Sequence, residues 1–177
     1  MVDFGDEELV ERMKATFRET PLHALLALEF LDLEDLPADV IPPVGPGGGP
    51  LPDGACVVRM PVRPEAFGSS GNLHGGAIAT LVDVASATAA SRQSAFVPGQ
   101  NSLVTADLHV RYLGRPKGEW VDAVATVIRA GRQLVVVECR VVDPGGNVIA
   151  AADFSSMVVP LRQPLSGTPQ DVTAPEL

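Results

Sequence analysis

Four segments in the second half of the chain are predicted to be strands, and apolar and polar residues alternate along the first two of them. The segments are residues 103–112, 119–129, 134–143 and 148–159. A period of two residues is typical of β-strands that bury one face. Short turn sequences such as Pro144-Gly145-Gly146-Asn147 separate them, and strands joined by short turns pair antiparallel. Because most strands are shorter than these, the pattern predicts a strongly curved antiparallel sheet.

The first half of the chain is predicted to contain two short helices and two strands. Apolar residues at helical spacing predict a helix over residues 6–18. Pro21 suits the first turn of a second helix, which extends to Leu26. Residues 27–33 and 55–62 are rich in apolar residues and are predicted to be strands.

A long apolar segment between these two halves has a different pattern. From Gly75 to about Arg92, small and aliphatic residues occupy most of the helical wheel, so this helix is predicted to be buried on nearly all sides. A single sheet must wrap around the helix to bury it, which gives an α+β architecture. The sheet alone covers only part of the helix, so we expect a second copy of the chain to cover the rest.

Composition divides the chain into three parts. Residues 1–20 are predicted to form a helical extension, residues 21–160 the single domain, and residues 161–177 a polar tail. Within the domain, residues 37–53 concentrate proline and glycine and are predicted to form an exposed loop with little regular structure.

Charge and cysteine content narrow the possible functions. The 177-residue chain has a net charge of −9, which argues against a nucleic-acid partner because such binding needs clustered Lys and Arg. No apolar run reaches the ~18 residues of a membrane span, and the acidic N-terminus is unlike a signal peptide. Cys56 and Cys139 lie in apolar runs and are predicted to be buried, reduced thiols. We therefore expect a cytoplasmic protein.

The start of the apolar helix is the candidate site. The helix opens with His74-Gly75-Gly76, and a helix N-terminus presents free N–H groups suited to an oxyanion. Asp83 is the one carboxylate in this helix; a charge there is costly unless it is paired or used for chemistry. The alternative for Asp83 is a structural hydrogen bond from Ser86. His74 is expected to shape the turn through its ring.

Other kinds of site find little support in the sequence. Asp83, Asp107 and His109 lack the spacing of a metal site, so no metal is predicted. Gly68-Ser69-Ser70-Gly71 is not a nucleophile elbow, because Asn72 stands where that motif needs glycine.

These features resemble the hotdog-fold acyl-CoA thioesterases, most closely the PaaI-like and 4-hydroxybenzoyl-CoA type. The resemblance extends from about Leu22 to Val159. The matching motifs are the His-Gly-Gly turn with Asp83 nine residues after the histidine, the strand Thr105 to Leu113, the turn Arg115-Pro116-Lys117-Gly118, and the turns at Gly131-Arg132 and Asp143 to Gly146.

The resemblance implies hydrolysis of an acyl-CoA to the free acid and CoA. Ala77, Ala85, Ala87 and Ala89 leave room beside the helix, which is compatible with an aryl or medium-chain acyl group. The resemblance also implies that the Gly75 N–H polarises the thioester carbonyl, that Asp83 activates water or attacks the thioester, and that Thr105 helps to orient the water. No cofactor is implied, since CoA is part of the substrate, and the working unit is at least a homodimer, expected to be a dimer of dimers. The residues expected around the substrate are His74, Gly76, Gly68, Asn72 and, for the CoA phosphates, Arg132.

Two features of the sequence complicate this interpretation. Gly75 and Asp83 lie eight residues apart, about 12 Å along a helix, so we expect a composite site with Gly75 from one subunit and Asp83 from its partner. By strand alternation, Thr105 shares a face with Asp107 and His109, so it reaches the helix only if a bulge intervenes.

A departure from the family keeps two alternatives open. The family often carries Asn six residues before the histidine, where this chain has Gly68. Without that side chain, a non-catalytic acyl-CoA-binding module is one alternative. A hotdog dehydratase or hydratase is the other, although no histidine motif of those enzymes is present.

Overall fold

The computed structural model describes residues 15–161. The predicted helix over residues 6–18 and the polar tail therefore lie mostly outside the described residues. Residues 15–19, which overlap the end of that helix, are helical. The elements that follow are α1 (Pro21–Leu26), β1 (Glu29–Leu31), β2 (Cys56–Pro61), α2 (Gly75–Gln93), β3 (Asn101–Tyr112), β4 (Trp120–Ala130), β5 (Leu134–Val142) and β6 (Val148–Pro160).

The six strands form one antiparallel sheet in the order β1-β2-β4-β5-β6-β3. Every neighbouring pair is antiparallel, including the three consecutive strands β4, β5 and β6. The predicted α+β architecture, with one curved sheet around one long helix, is confirmed. β3 forms one edge of the sheet, and no other strand within residues 15–161 pairs with its free side.

Helix α2 packs one broad side into the concave face of the sheet. Leu81, Val82 and Ala85 are fully buried there, against core residues from the central strands such as Val137 and Phe154. The opposite side of the helix is only half-buried in the single chain. The half-buried residues there include Thr80, Asp83, Val84, Ala87 and Thr88. This agrees with the expectation that the sheet of one chain covers only part of the helix, and burial of the remaining side by a second copy stays a prediction.

The Pro/Gly-rich loop lies against the convex face of the sheet. Leu36, Val40 and Leu51 pack on a second apolar cluster that includes Val57 and Val124, whose side chains point away from α2. Most of residues 37–53 are exposed, as predicted, but Val40 and Leu51 within the segment and Leu36 just before it are half-buried. Its few apolar side chains cover an otherwise exposed apolar strip, which composition alone does not reveal.

A close backbone contact fixes the tip of this loop to the β5–β6 turn. The Gly47 N–H donates to the Gly146 carbonyl at 2.8 Å. Gly146 has a φ of 78°, and a Cβ there would collide with the Gly48 backbone. Glycine is therefore required at position 146 both for the turn and for this approach.

Asp143 organises the same turn from inside. Its carboxylate accepts hydrogen bonds from the backbone N–H groups of Lys117, Gly145 and Asn147 and from the Asn147 side chain. Desolvation of Asp143 would raise its pKa, but the hydrogen bonds from Asn147, Lys117 and Gly145 outweigh it, and the pKa is lowered from 3.8.

We predict that Asp143→Ala lowers the free energy of unfolding by about 1–3 kcal/mol at pH 7, because it leaves several N–H groups without an acceptor. The pKa of Asp143 is lowered in the folded state. The stability that its carboxylate contributes is therefore fully present above the ordinary pKa of 3.8, and it is lost as the pH falls through the lowered pKa. Urea unfolding at neutral and acidic pH measures both effects.

The control is Asp153→Ala, which removes a carboxylate from the exposed ion pair with Arg111 and should change stability little. A difference between the wild type and Asp143→Ala that stays constant down to acidic pH would contradict the prediction.

Candidate active site

In the first turn of α2, the Gly76 N–H is hydrogen-bonded and the Gly75 N–H is free. His74 precedes the helix in an extended conformation, and its Nδ1 accepts a hydrogen bond from the Gly76 N–H at 2.9 Å. The Gly75 N–H, at the first helical position, has no intrahelical acceptor, and no described residue accepts a hydrogen bond from it. It is the donor that the helix start offers to a ligand.

Tyr112 holds the same turn from the end of β3. Its hydroxyl donates to the Gly75 carbonyl at 2.9 Å, and its ring lies so close that a Cβ on Gly75 would be 3.3 Å from the ring carbon Cζ. The peptide between Gly75 and Gly76 is thus held at its carbonyl by Tyr112 and at its N–H by His74. Sequence reasoning did not single out Tyr112, although strand alternation placed it on the helix-facing side of β3.

Asp83 meets Thr105 across the groove between α2 and β3. The Thr105 hydroxyl donates to Asp83 Oδ1 at 2.8 Å, while no described residue donates a hydrogen bond to Oδ2. Ser86, the alternative partner, is fully buried and its hydroxyl does not bond to Asp83. The carboxylate is half-buried, with one oxygen held by the protein and one open.

A β-bulge brings Thr105 to the helix. In the pairing of β3 with β6, Thr105 lies opposite Ser156 and Asp107 lies opposite Ser155, so Ala106 is an extra residue. The extra residue shifts the alternation by one position. The prediction from regular alternation, that Thr105 shares a face of β3 with Asp107 and His109, is therefore wrong.

The two halves of the candidate site lie apart along α2. Eight residues separate Gly75 from Asp83, about 12 Å along the helix axis. β3 runs in the opposite direction to the helix, since Tyr112 contacts Gly75 and Thr105 contacts Asp83. Within one chain, the free N–H and the carboxylate therefore belong to two separate half-sites.

The loop before α2 carries two further predicted residues. The Gly68 N–H donates to the Asn72 carbonyl at 2.7 Å, which closes a tight loop. The Asn72 side-chain amide turns toward Ser70, with N···O distances of 3.4 and 3.5 Å. The structure thus gives the Asn72 amide a local partner, and Gly68 supplies no side chain in its place.

Arg132 lies far from the Gly75 half-site of its own chain. It is exposed at the β4–β5 turn, next to Leu134, which pairs with Met157 of β6. Tyr112, beside Gly75, pairs with Ala150. Seven residues along β6 correspond to about 23 Å. The structure does not bring Arg132 and Gly75 together within one chain.

A groove of about 580 Å³ runs along the C-terminal half of α2. Phe30 and Leu36 line one side, and Thr88, Ser91 and Arg92 line the helix side. The Arg92 guanidinium carbon lies 4.6 Å from the centre of the Phe30 ring. The groove does not include Asp83, but it begins about one and a half helical turns further along the same half-buried side.

Other candidate chemistry is limited in the described part of the chain. Within residues 15–161, no three His, Cys, Asp or Glu side chains cluster as a metal site would require, and no helix is long and apolar enough to cross a membrane. Cys56 and Cys139 are free and buried. Burial raises the pKa of each thiol to about 12, so neither is a nucleophile at neutral pH.

Comparisons with known proteins show what the chain is similar to. Residues 70–150 match the family described as the Thioesterase superfamily. A protein of Halobacterium salinarum, provisionally named an esterase, is 35% identical over 101 residues, which are 55% of this chain and 66% of that relative.

Solved structures share the fold over most of the chain. A Bacillus halodurans protein determined with CoA has a TM-score of 0.64 and 27% identity, over 87% of this chain and 90% of its own. A thioesterase from Haemophilus influenzae has a TM-score of 0.66 and 18% identity, over 86% of this chain and 92% of its own. The chain therefore has the hotdog fold, and its residues 70–150, which carry the His-Gly-Gly turn, Asp83 and Thr105, are similar to the Thioesterase superfamily.

Proposed function

We propose that this protein is an acyl-CoA thioesterase, which hydrolyses an aryl- or medium-chain acyl-CoA to the free acid and CoA. The observation that carries the proposal is the hydrogen bond from Thr105 of β3 to Asp83, which lies on the helix whose first residue offers a free N–H. CoA in the similar Bacillus halodurans structure supports a CoA ester as the substrate.

The proposed reaction places the developing charge at the start of α2. The thioester carbonyl oxygen accepts a hydrogen bond from the Gly75 N–H, where the helix dipole also favours negative charge. Glycine leaves the backbone open to this approach. Tyr112 and His74 fix the adjoining peptide, so the donor is already oriented when the substrate arrives.

Asp83 supplies the base. Its open Oδ2 takes a proton from water as the water oxygen attacks the carbonyl carbon; the C–S bond then breaks, and the CoA thiolate receives that proton. Direct attack by Asp83 is the second route, through an anhydride that water then cleaves. In either route the hydrogen bond from Thr105 orients the carboxylate. No metal and no cofactor beyond the CoA of the substrate enter the reaction.

The proposed working unit is a homodimer in which each site combines two chains. The free edge of β3 and the half-buried side of α2 are adjacent, and both would be covered by a second copy. A partner's Asp83 half-site can then face the Gly75 half-site, which resolves the separation of about 12 Å along the helix. A dimer of such dimers remains our expectation.

The acyl group is proposed to lie along the half-buried side of α2. From Asp83 this side continues over Val84 and Ala87 to Thr88, where the groove of about 580 Å³ begins. The small side chain of Ala87 leaves room for an aryl or medium-length acyl group to pass. Arg132, far from Gly75 in its own chain, would meet the CoA phosphates only through the partner.

The two alternative functions differ in how well the site suits them. A dehydratase needs a histidine opposite the carboxylate, but His109 follows the bulge on the face of β3 away from α2. His74 already accepts a hydrogen bond from Gly76. A non-catalytic acyl-CoA-binding module is favoured by Gly68, which offers no side chain to the thioester.

We predict that wild-type protein releases CoA thiol from at least one member of a panel of aryl- and straight-chain acyl-CoAs. Asp83→Asn should lose about 100-fold or more in kcat, because the amide is a poor base and a poor nucleophile. Thiol release is followed with a chromogenic disulfide. Binding of acyl-CoA without turnover by the wild type would identify the binding module, and equal activity of both proteins would exclude Asp83 as the base.

We predict that Gly75→Pro lowers kcat by about 10²- to 10³-fold, because it removes the one N–H proposed to face the carbonyl oxygen. Proline suits the first position of a helix, and the extended conformation of His74, with φ −64° and ψ 134°, suits a residue before proline. Thiol release with the substrate found above is the measurement. Gly75→Ala is the matched control, since it crowds Tyr112 in the same way but keeps the N–H.

Mixing the two inactive variants tests the composite site. In a heterodimer of Asp83→Asn and Gly75→Pro, one site combines an intact Gly75 with an intact Asp83. Random subunit exchange should therefore restore about a quarter of the wild-type activity. If both groups acted from the same chain, no intact site would form, and the refolded mixture would stay inactive.

A further inference from the structure

A buried hydroxyl lies directly behind the Asp83 half-site. Ser156 on β6 is fully buried, and its Oγ has no hydrogen-bond partner among the described residues. Buried hydroxyls are almost always hydrogen-bonded. The other residues on this face of β6 are apolar, namely Ala150, Ala152 and Phe154. Packing alone would favour an apolar residue at this position as well. The Ser156 hydroxyl therefore indicates a hydrogen-bonding function.

Thr105 is the polar neighbour of Ser156. The two residues lie directly opposite each other in the pairing of β3 with β6, and opposed residues point to the same face with Cβ atoms about 4.5–5.5 Å apart. The bulge at Ala106 follows immediately. The Ser156 hydroxyl has three staggered positions about its Cα–Cβ bond, and we infer that one of them directs it toward Thr105.

The hydrogen-bonding capacities of the two hydroxyls are complementary. A hydroxyl donates one hydrogen bond and accepts up to two. Thr105 uses its proton on Asp83 Oδ1, so its oxygen is open to accept. Ser156 has its proton unused. A donor behind Thr105 polarises its O–H and strengthens the bond to the carboxylate, as in any chain of aligned hydrogen bonds.

We propose that Ser156 is a positioning residue for the reaction, which donates to Thr105 and through it fixes the orientation of Asp83. The inference rests on the proposed thioesterase function and adds a residue from a third element to the site. Ser156 does not touch the substrate; it acts only through Thr105.

The test compares three substitutions at position 156 in the full-length protein. Ser156→Ala removes the hydroxyl, and Ser156→Cys fills the space with a weak donor; each should lower kcat roughly three- to tenfold with KM nearly unchanged. Ser156→Thr keeps the hydroxyl and should retain most of kcat, even where its extra methyl lowers the melting temperature. Ser155→Ala, on the opposite face of β6, is the matched control.

A double-mutant cycle separates positioning from packing. Thr105→Val should lower kcat about tenfold or more, and Ser156→Ala should then cause no further loss, because its effect passes through Thr105. A Ser156→Ala protein with wild-type kcat, a Ser156→Cys protein with restored kcat, or losses that multiply in the double variant would each overturn the inference alone. A wild-type protein with no turnover of any thioester would overturn the proposed function, and this inference with it.

Discussion

One extra residue in β3 controls how that strand meets the central helix. The bulge at Ala106 lets Leu103 and Thr105 on one side of it, and Leu108 and Val110 on the other, all face α2. In a regular strand one of these two groups would face away. The hydrophobic contacts and the hydrogen bond to Asp83 are thus compatible only because the ladder is interrupted, at the point where the candidate carboxylate lies.

The helices and strands were predicted best where a pattern of apolar residues extends over many positions. The four strand segments, the apolar helix from Gly75 and the antiparallel order all follow from patterns that burial and short turns impose on local sequence. The bulge could not be predicted, because the pattern of apolar and polar residues around Thr105 fits a strand with a bulge as well as a strand without one. The docking of residues 37–53 escaped because it depends on a few scattered apolar side chains among prolines and glycines.

The sequence indicates which residues form the candidate site better than it indicates the contacts between them. The His-Gly-Gly turn and Asp83 stand out because glycines at a helix start and a charge in an apolar helix are costly without a purpose. Tyr112 and Ser156 have no such mark. Strand pairing brings Tyr112 to the helix start and Ser156 opposite Thr105. These positions could not be predicted, because the register between strands is not encoded in a local pattern of one sequence.

The docked loop divides the convex face of the sheet into two parts. Over β2 and β4 it forms a dry apolar layer, while toward β3 the surface carries exposed ion pairs such as Arg111 with Asp153. Two sheets stack face to face at a spacing of about 10 Å, which leaves no room for an additional layer of chain between them. Because the loop covers β2 and β4 and its tip reaches the β5–β6 turn, a second sheet that approached back to back would find an uncovered surface toward β6 and β3.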